Sequence, residues 1–178
     1  GKVNSVEEFR ARVKDELQNQ FKAHSEYRFT FDAREKMLKK NESVALPEAF
    51  MRRWLLATNE GMTQETLDKE FELYRDEFKW QIIKGEVIKE NNLKVEEEDM
   101  KAVGREIAAA QLQQYGLYGL SNEQLDGFAS RLMQDEKQRA NLYDRALENK
   151  VYAVLKEGFK LEEQEISMDD FSKLFEKK

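Results

Sequence analysis

His24 is the only imidazole in the 178-residue chain, and there is no Cys. Those two facts bound the chemistry. Without Cys there is no thiolate nucleophile, no disulfide and no Cys-ligated zinc. A di-iron centre of the helical-bundle type needs Glu-x-x-His pairs, and the residue three before His24 is Phe21. A Ser/His/Asp triad would have to recruit His24, yet no Gly-x-Ser-x-Gly elbow occurs. The phosphate cradles Gly-x-x-x-x-Gly-Lys-Ser/Thr and Gly-x-Gly-x-x-Gly are absent too. The run Glu96-Glu97-Glu98-Asp99 is acidic enough to suggest calcium, but it lacks the alternating oxygen ligands and the Gly of an EF-hand loop. It reads instead as negative charge at the positive end of a helix dipole. The chain is not expected to be an enzyme, and no metal or cofactor is implied.

What the chain has in surplus is apolar side chains of adaptable or amphipathic type. It carries 11 Phe, 6 Tyr, 2 Trp and 6 Met. Met fits irregular apolar partners, while Tyr and Trp combine a large apolar body with a polar tip. Met37, Phe50, Met51, Trp54, Trp80, Met100, Tyr115, Tyr118 and Met133 are the candidates for a surface that accepts varied apolar sequences. Each could equally well pack one helix onto its neighbour.

The elements that must position them are helices. One Pro and eight Gly are too few for the tight turns of a strand-rich fold. Apolar residues step by three or four from Val6 through Phe9, Val13, Leu17 and Phe21 to Leu38, which predicts one helix from Val6 to about Lys40 capped by Ser5. Thirty-five residues at 1.5 Å each make a rod of roughly 50 Å. A compact domain of this size has a diameter of roughly 40 Å. The rod does not fit inside such a ball, so the molecule is expected to be elongated, with smaller pieces hanging from the rod.

Beyond the rod, Pro47 opens a short helix to about Leu56, and Thr63 caps a second long one to Glu90. A helix from about Glu96 to Gln114 follows, then a Gly-punctuated turn at Tyr115–Leu120. Ser121 with Gln124 forms a capping box for the next helix, and Asp135 with Gln138 is placed to cap again, at either a kink or a break. The last long helix runs to Gly158. An extended stretch then leads to a short helix capped by Ser167. The expected fold is all-α, one domain over 1–178, divided into a linker helix (5–42), a helical arm (47–134) and a second arm with the terminal helix (135–178).

Charge narrows the partners. Thirty Lys and Arg against 36 Asp and Glu give a net charge of −6 with the signs interspersed. That leaves no basic stripe to release counterions from nucleic acid. No apolar run nears the roughly 20 residues of a membrane span. The lack of Cys suits a reducing cytoplasm. Gly1 stands where an initiator Met would, as expected of a chain cut from a longer one.

The order of segments is similar to that of the C-terminal domain of bacterial trigger factor, a ribosome-associated folding chaperone. The resemblance spans about Ser5 to Leu174. It rests on Ser5-Val6-Glu7-Glu8-Phe9-Arg10 opening a long helix and Ala45-Leu46-Pro47-Glu48-Ala49-Phe50 opening a short one. It continues in the run Gly85–Val95 before an acidic helix start and in the late helix Lys150-Val151-Tyr152-Ala153-Val154-Leu155-Lys156. The resemblance implies a linker helix with two helical arms that cradle unfolded or nascent polypeptides without ATP. The family's ribosome-docking loop, Gly-Phe-Arg-x-Gly-x-x-Pro, and its peptidyl-prolyl isomerase domain have no counterpart in this sequence. Client holding without proline isomerisation or direct ribosome docking is therefore what the resemblance implies. The competing expectation is a helical scaffold that binds one fixed partner or forms a homodimer.

Overall fold

A computed structural model describes residues 5–117 and 119–176. Among them are seven helices and no strand. Helix α1 spans Val6–Lys40, without a break. Ser5 Oγ accepts a hydrogen bond from the Glu8 amide at 3.0 Å, which satisfies one donor of the open first turn. Asn41 ends the helix by folding its side-chain amide back onto the Met37 carbonyl.

Pro47 precedes α2 (Glu48–Thr58), and Gly61 turns the chain with φ at +84°, a conformation that penalises any Cβ. Helix α3 is Gln64–Glu90, with Thr63 accepting from the Thr66 amide. Helix α4 (Glu97–Gln114) starts within the acidic run. There the Asp99 carboxylate accepts from the Glu96 amide at 2.7 Å, so these acids cap a helix as the sequence implies. Helix α5 is Asn122–Gln134 and opens with the reciprocal Ser121–Gln124 box. Asp135 both ends α5 and caps α6 (Glu136–Gly158), so the chain breaks there rather than kinking. Residues 160–167 carry no regular structure and lead to α7 (Met168–Glu176), capped by Ser167.

The apolar residues collect in three small cores. At the junction of α1, α3 and α6, Ala33, Trp80, Ile83, Val87, Val151 and Leu155 are buried together. Met51 and Leu55 of α2 meet Leu67 and Phe71 of α3 in a second core. Met100 and Val103 of α4 meet Leu142 and Ala146 of α6 in a third. Helix α5 closes the third unit, with Ala129 fully buried against Gly104 of α4.

This packing divides the chain differently from the expected 47–134 and 135–178 arms. Helices α4 and α5 pack on α6, across the expected boundary, whereas α2 packs only on α3. The reason lies in the apolar faces. Met100 and Val103 on α4 complement Leu142 and Ala146 on α6, and the acidic N-terminus of α4 meets Lys150 of α6 at 2.8 Å.

The molecule exposes 13892 Å², against roughly 9,000 Å² for a compact monomer of its 21.1 kDa mass. The excess is the area expected of a rod with appended helical units.

Candidate functional site

Three of the candidate residues are corrected by their burial. Met51, Trp80 and Met100 are each no more than 6% exposed and sit in the second, first and third cores. Trp80 stacks on Tyr152 at 5.7 Å and fastens α3 to α6. These side chains hold helices together and offer nothing to a partner. Met37 and Met133 are half-buried, packed against the rims of the first and third cores. Tyr118 lies outside the described residues.

Phe50, Trp54 and Tyr115 do face outward. Phe50 of α2 is exposed, one residue before buried Met51, because a single step of 100° carries it off the packed face. Trp54 is partly covered by an edge-to-face contact with Phe78 at 5.8 Å, which leaves much of its ring bare. Tyr115 is 81% exposed where α4 ends. Phe50 and Trp54 share α2, whereas Tyr115 stands at the end of α4, which does not pack on α2, so the three do not form one site.

A continuous apolar face on α1 was absent from the candidates. Along the first half of α1, Phe9, Val13, Leu17 and Phe21 line a shallow groove edged by Arg10 and Lys14, and all are exposed. Further along the same face, His24, Tyr27 and Phe31 receive α7. Tyr27 stacks on Phe175 at 6.1 Å, Phe31 meets the same ring edge-on at 6.0 Å, and His24 lies over Phe171. Arg28 donates to the Leu174 carbonyl at 2.7 Å. The signal for the bare face was present in the sequence. An uninterrupted apolar stripe on a helix too long for its domain must outrun whatever covers it.

Electrostatics braces the arms around these surfaces. Arg105 bridges Asp126 at 2.5 Å and Glu98 at 2.8 Å, tying α4 to α5. The guanidinium beside Asp126 holds that carboxyl below its usual range, and the Lys150 ammonium with the Glu96 amide does the same for Asp99. At the α2–α3 unit, Arg52 lies 3.7 Å over the Phe71 ring and pairs with Asp68 at 2.6 Å. Buried Lys79 donates to the Glu42 carbonyl at 3.1 Å, fixing α3 to the turn that follows α1.

The family described as probable trigger factor, C-terminal domain, matches residues 25–175. The chain belongs to the trigger factor C-terminal domain family. The match runs from the second half of α1 through α7, so it covers all three cores and the α7 contact. The bare half of α1 precedes it. No curated protein matches the sequence. This member of the trigger factor C-terminal family carries exposed apolar side chains on separate helical units. None of its described helices is long and apolar enough to cross a membrane.

Proposed function

We propose that the chain acts as an ATP-independent holding chaperone, covering apolar segments of unfolded or nascent polypeptides with exposed apolar side chains on the outer faces of its helices. The observation that carries this reading is the exposed set itself. Phe9, Phe21, Phe50, Trp54, Leu73 and Tyr115 are all more than 40% exposed, on α1, α2 and α3 and where α4 ends. A folded monomer with no use for such surface gains by replacing it with polar side chains.

The energetics suit holding rather than tight capture. A few hundred Å² of apolar contact supplies several kcal/mol at about 25 cal/mol per Å². Ordering a flexible client offsets much of that, which leaves weak, exchanging contacts. Arg, Lys and Glu interspersed along the same helices keep the loaded complex in solution.

The reading is tested by titrating the chain into two unrelated, fluorescently labelled unfolded polypeptides. Weak binding to both, insensitive to salt and to nucleotide, supports it. One tight stoichiometric partner with no affinity for unfolded chains makes the protein a scaffold instead.

A further inference from the structure

The seat that α7 occupies on α1 recurs, empty, along the same helix. Phe9, Arg10 and Val13 stand eighteen residues before Tyr27, Arg28 and Phe31, which is five complete turns of a 3.6-residue helix. Because α1 is continuous across both sets, each residue of the first set points in the same direction as its counterpart, about 27 Å further along the rod. In the occupied seat, rings of α7 pack on Tyr27 and Phe31 while Arg28 donates to a carbonyl in the last turn of α7. In the empty one, Phe9 is 56% exposed and Val13 38% exposed, and Arg10 makes no ion pair with a described residue.

We propose that this empty repeat, extended by Leu17 and Phe21, is a seat for a short amphipathic helix of a client polypeptide, with aromatic rings at i, i+3 or i+4 spacing as on α7. The inference rests on the holding function proposed above and deepens it by naming the form of client segment. Two features fix the occupant. The bare groove is continuous with a seat already filled by such a helix, whose Phe171 and Phe175 supply the rings. Its edge also carries Arg10 and Lys14, which suit the negative end of a helix dipole and its free C-terminal carbonyls, as Arg28 does for α7. A second copy is the poorer occupant. Its α7 would have to leave one seat for another displaced along the rod, a head-to-tail contact that generates open chains rather than a closed dimer.

The test uses the full chain and a side-chain-bridged helical peptide with the sequence of residues 166–176, labelled for fluorescence anisotropy. Saturable binding is expected, weakened at least about tenfold (about 1.4 kcal/mol) by Phe9→Ala with Val13→Ala. Binding should be unaffected by Phe31→Ala, and a scrambled peptide of equal composition should fail to bind. Phe9 and Val13 lie outside all three cores, so the double variant should keep its helicity by circular dichroism. Equal binding of the scrambled peptide, or binding lost with Phe31→Ala but kept without Phe9 and Val13, overturns the proposal. Self-association of the wild-type chain that the Phe9/Val13 variant abolishes also overturns it, because a second copy is then the occupant. Absence of peptide binding in a chain that still binds unfolded clients defeats this seat alone. Absence of both defeats the holding function as well.

Discussion

Gly104 on α4 lies so close to Ala129 on α5 that a Cβ added to the glycine would stand 2.9 Å from the alanine Cβ and 3.1 Å from its Cα. The two helices therefore meet backbone to backbone, and the Arg105–Asp126 bridge seals the same seam. Gly104→Val is expected to cost about 1–3 kcal/mol by forcing α5 off α4. Gly85 of α3 has nothing within 4 Å of an added Cβ, so Gly85→Ala should stabilise by up to about 1 kcal/mol through helix propensity. Urea unfolding of the two variants decides both, and equal effects at the two positions would contradict the close packing.

The α4–α6 unit should loosen in acid. Asp126 is held below its usual range by Arg105, and Asp99 by Lys150 and the Glu96 amide. A carboxylate with a depressed folded value contributes stability that is full above the unfolded value, near 4. That contribution is lost as the pH falls through the folded one. Thermal melts should be flat from pH 8 to 6 and fall below about pH 4. Asp126→Asn with Asp99→Asn should flatten the acid limb, and an unchanged limb would place the titrating groups elsewhere.

Alkali should report on the junction core. Burial against Trp80, with Glu148 nearby, pushes the Tyr152 phenol from 10.0 up to about 12. The folded state thus keeps its proton after the unfolded state has released it. The stability that this protonated phenol contributes is whole below pH 10 and is lost as the pH rises from 10 toward 12. In a tyrosinate absorbance titration one of the 6 tyrosines should ionise late, and Tyr152→Phe should remove that step. A late step that persists in Tyr152→Phe would assign it to another residue.

Neighbouring residues on α2 separate structure from surface. Met51 is 3% exposed and Phe50 57%. Met51→Ala should cost about 2–5 kcal/mol by opening a cavity in the small second core. Phe50→Ala should change stability by no more than about 0.5 kcal/mol. Chemical denaturation checks the stabilities, and client binding measured at fixed helicity should fall for Phe50→Ala with Trp54→Ala.

The sequence made the helices legible because caps and period-3.6 stripes are local signals. Thr63, Ser121, Asp135 and Ser167 each cap where their types and spacing predict. Which helices pair is not local, and the division into arms differed for that reason. The seam between α4 and α5 is made by Gly104 and Ala129, small residues that leave no apolar stripe to read. The surface was the least legible part. Met51, Trp80 and Met100 were candidates by residue type, but burial depends on the direction in which a side chain leaves its helix and on what packs there. The length of α1 carried the better clue, since residues beyond the reach of α3, α6 and α7 have nothing among the described residues to cover them.

The most direct measurement is light scattering from a denatured, aggregation-prone protein diluted into increasing amounts of this chain without nucleotide. The comparison is with a variant carrying Phe9→Ser, Phe21→Ser, Phe50→Ser and Trp54→Ser. Suppression by the wild type near stoichiometric amounts for two unrelated clients, largely lost in the equally helical variant, is the predicted result. Suppression of the same strength in that variant would contradict holding by exposed apolar side chains.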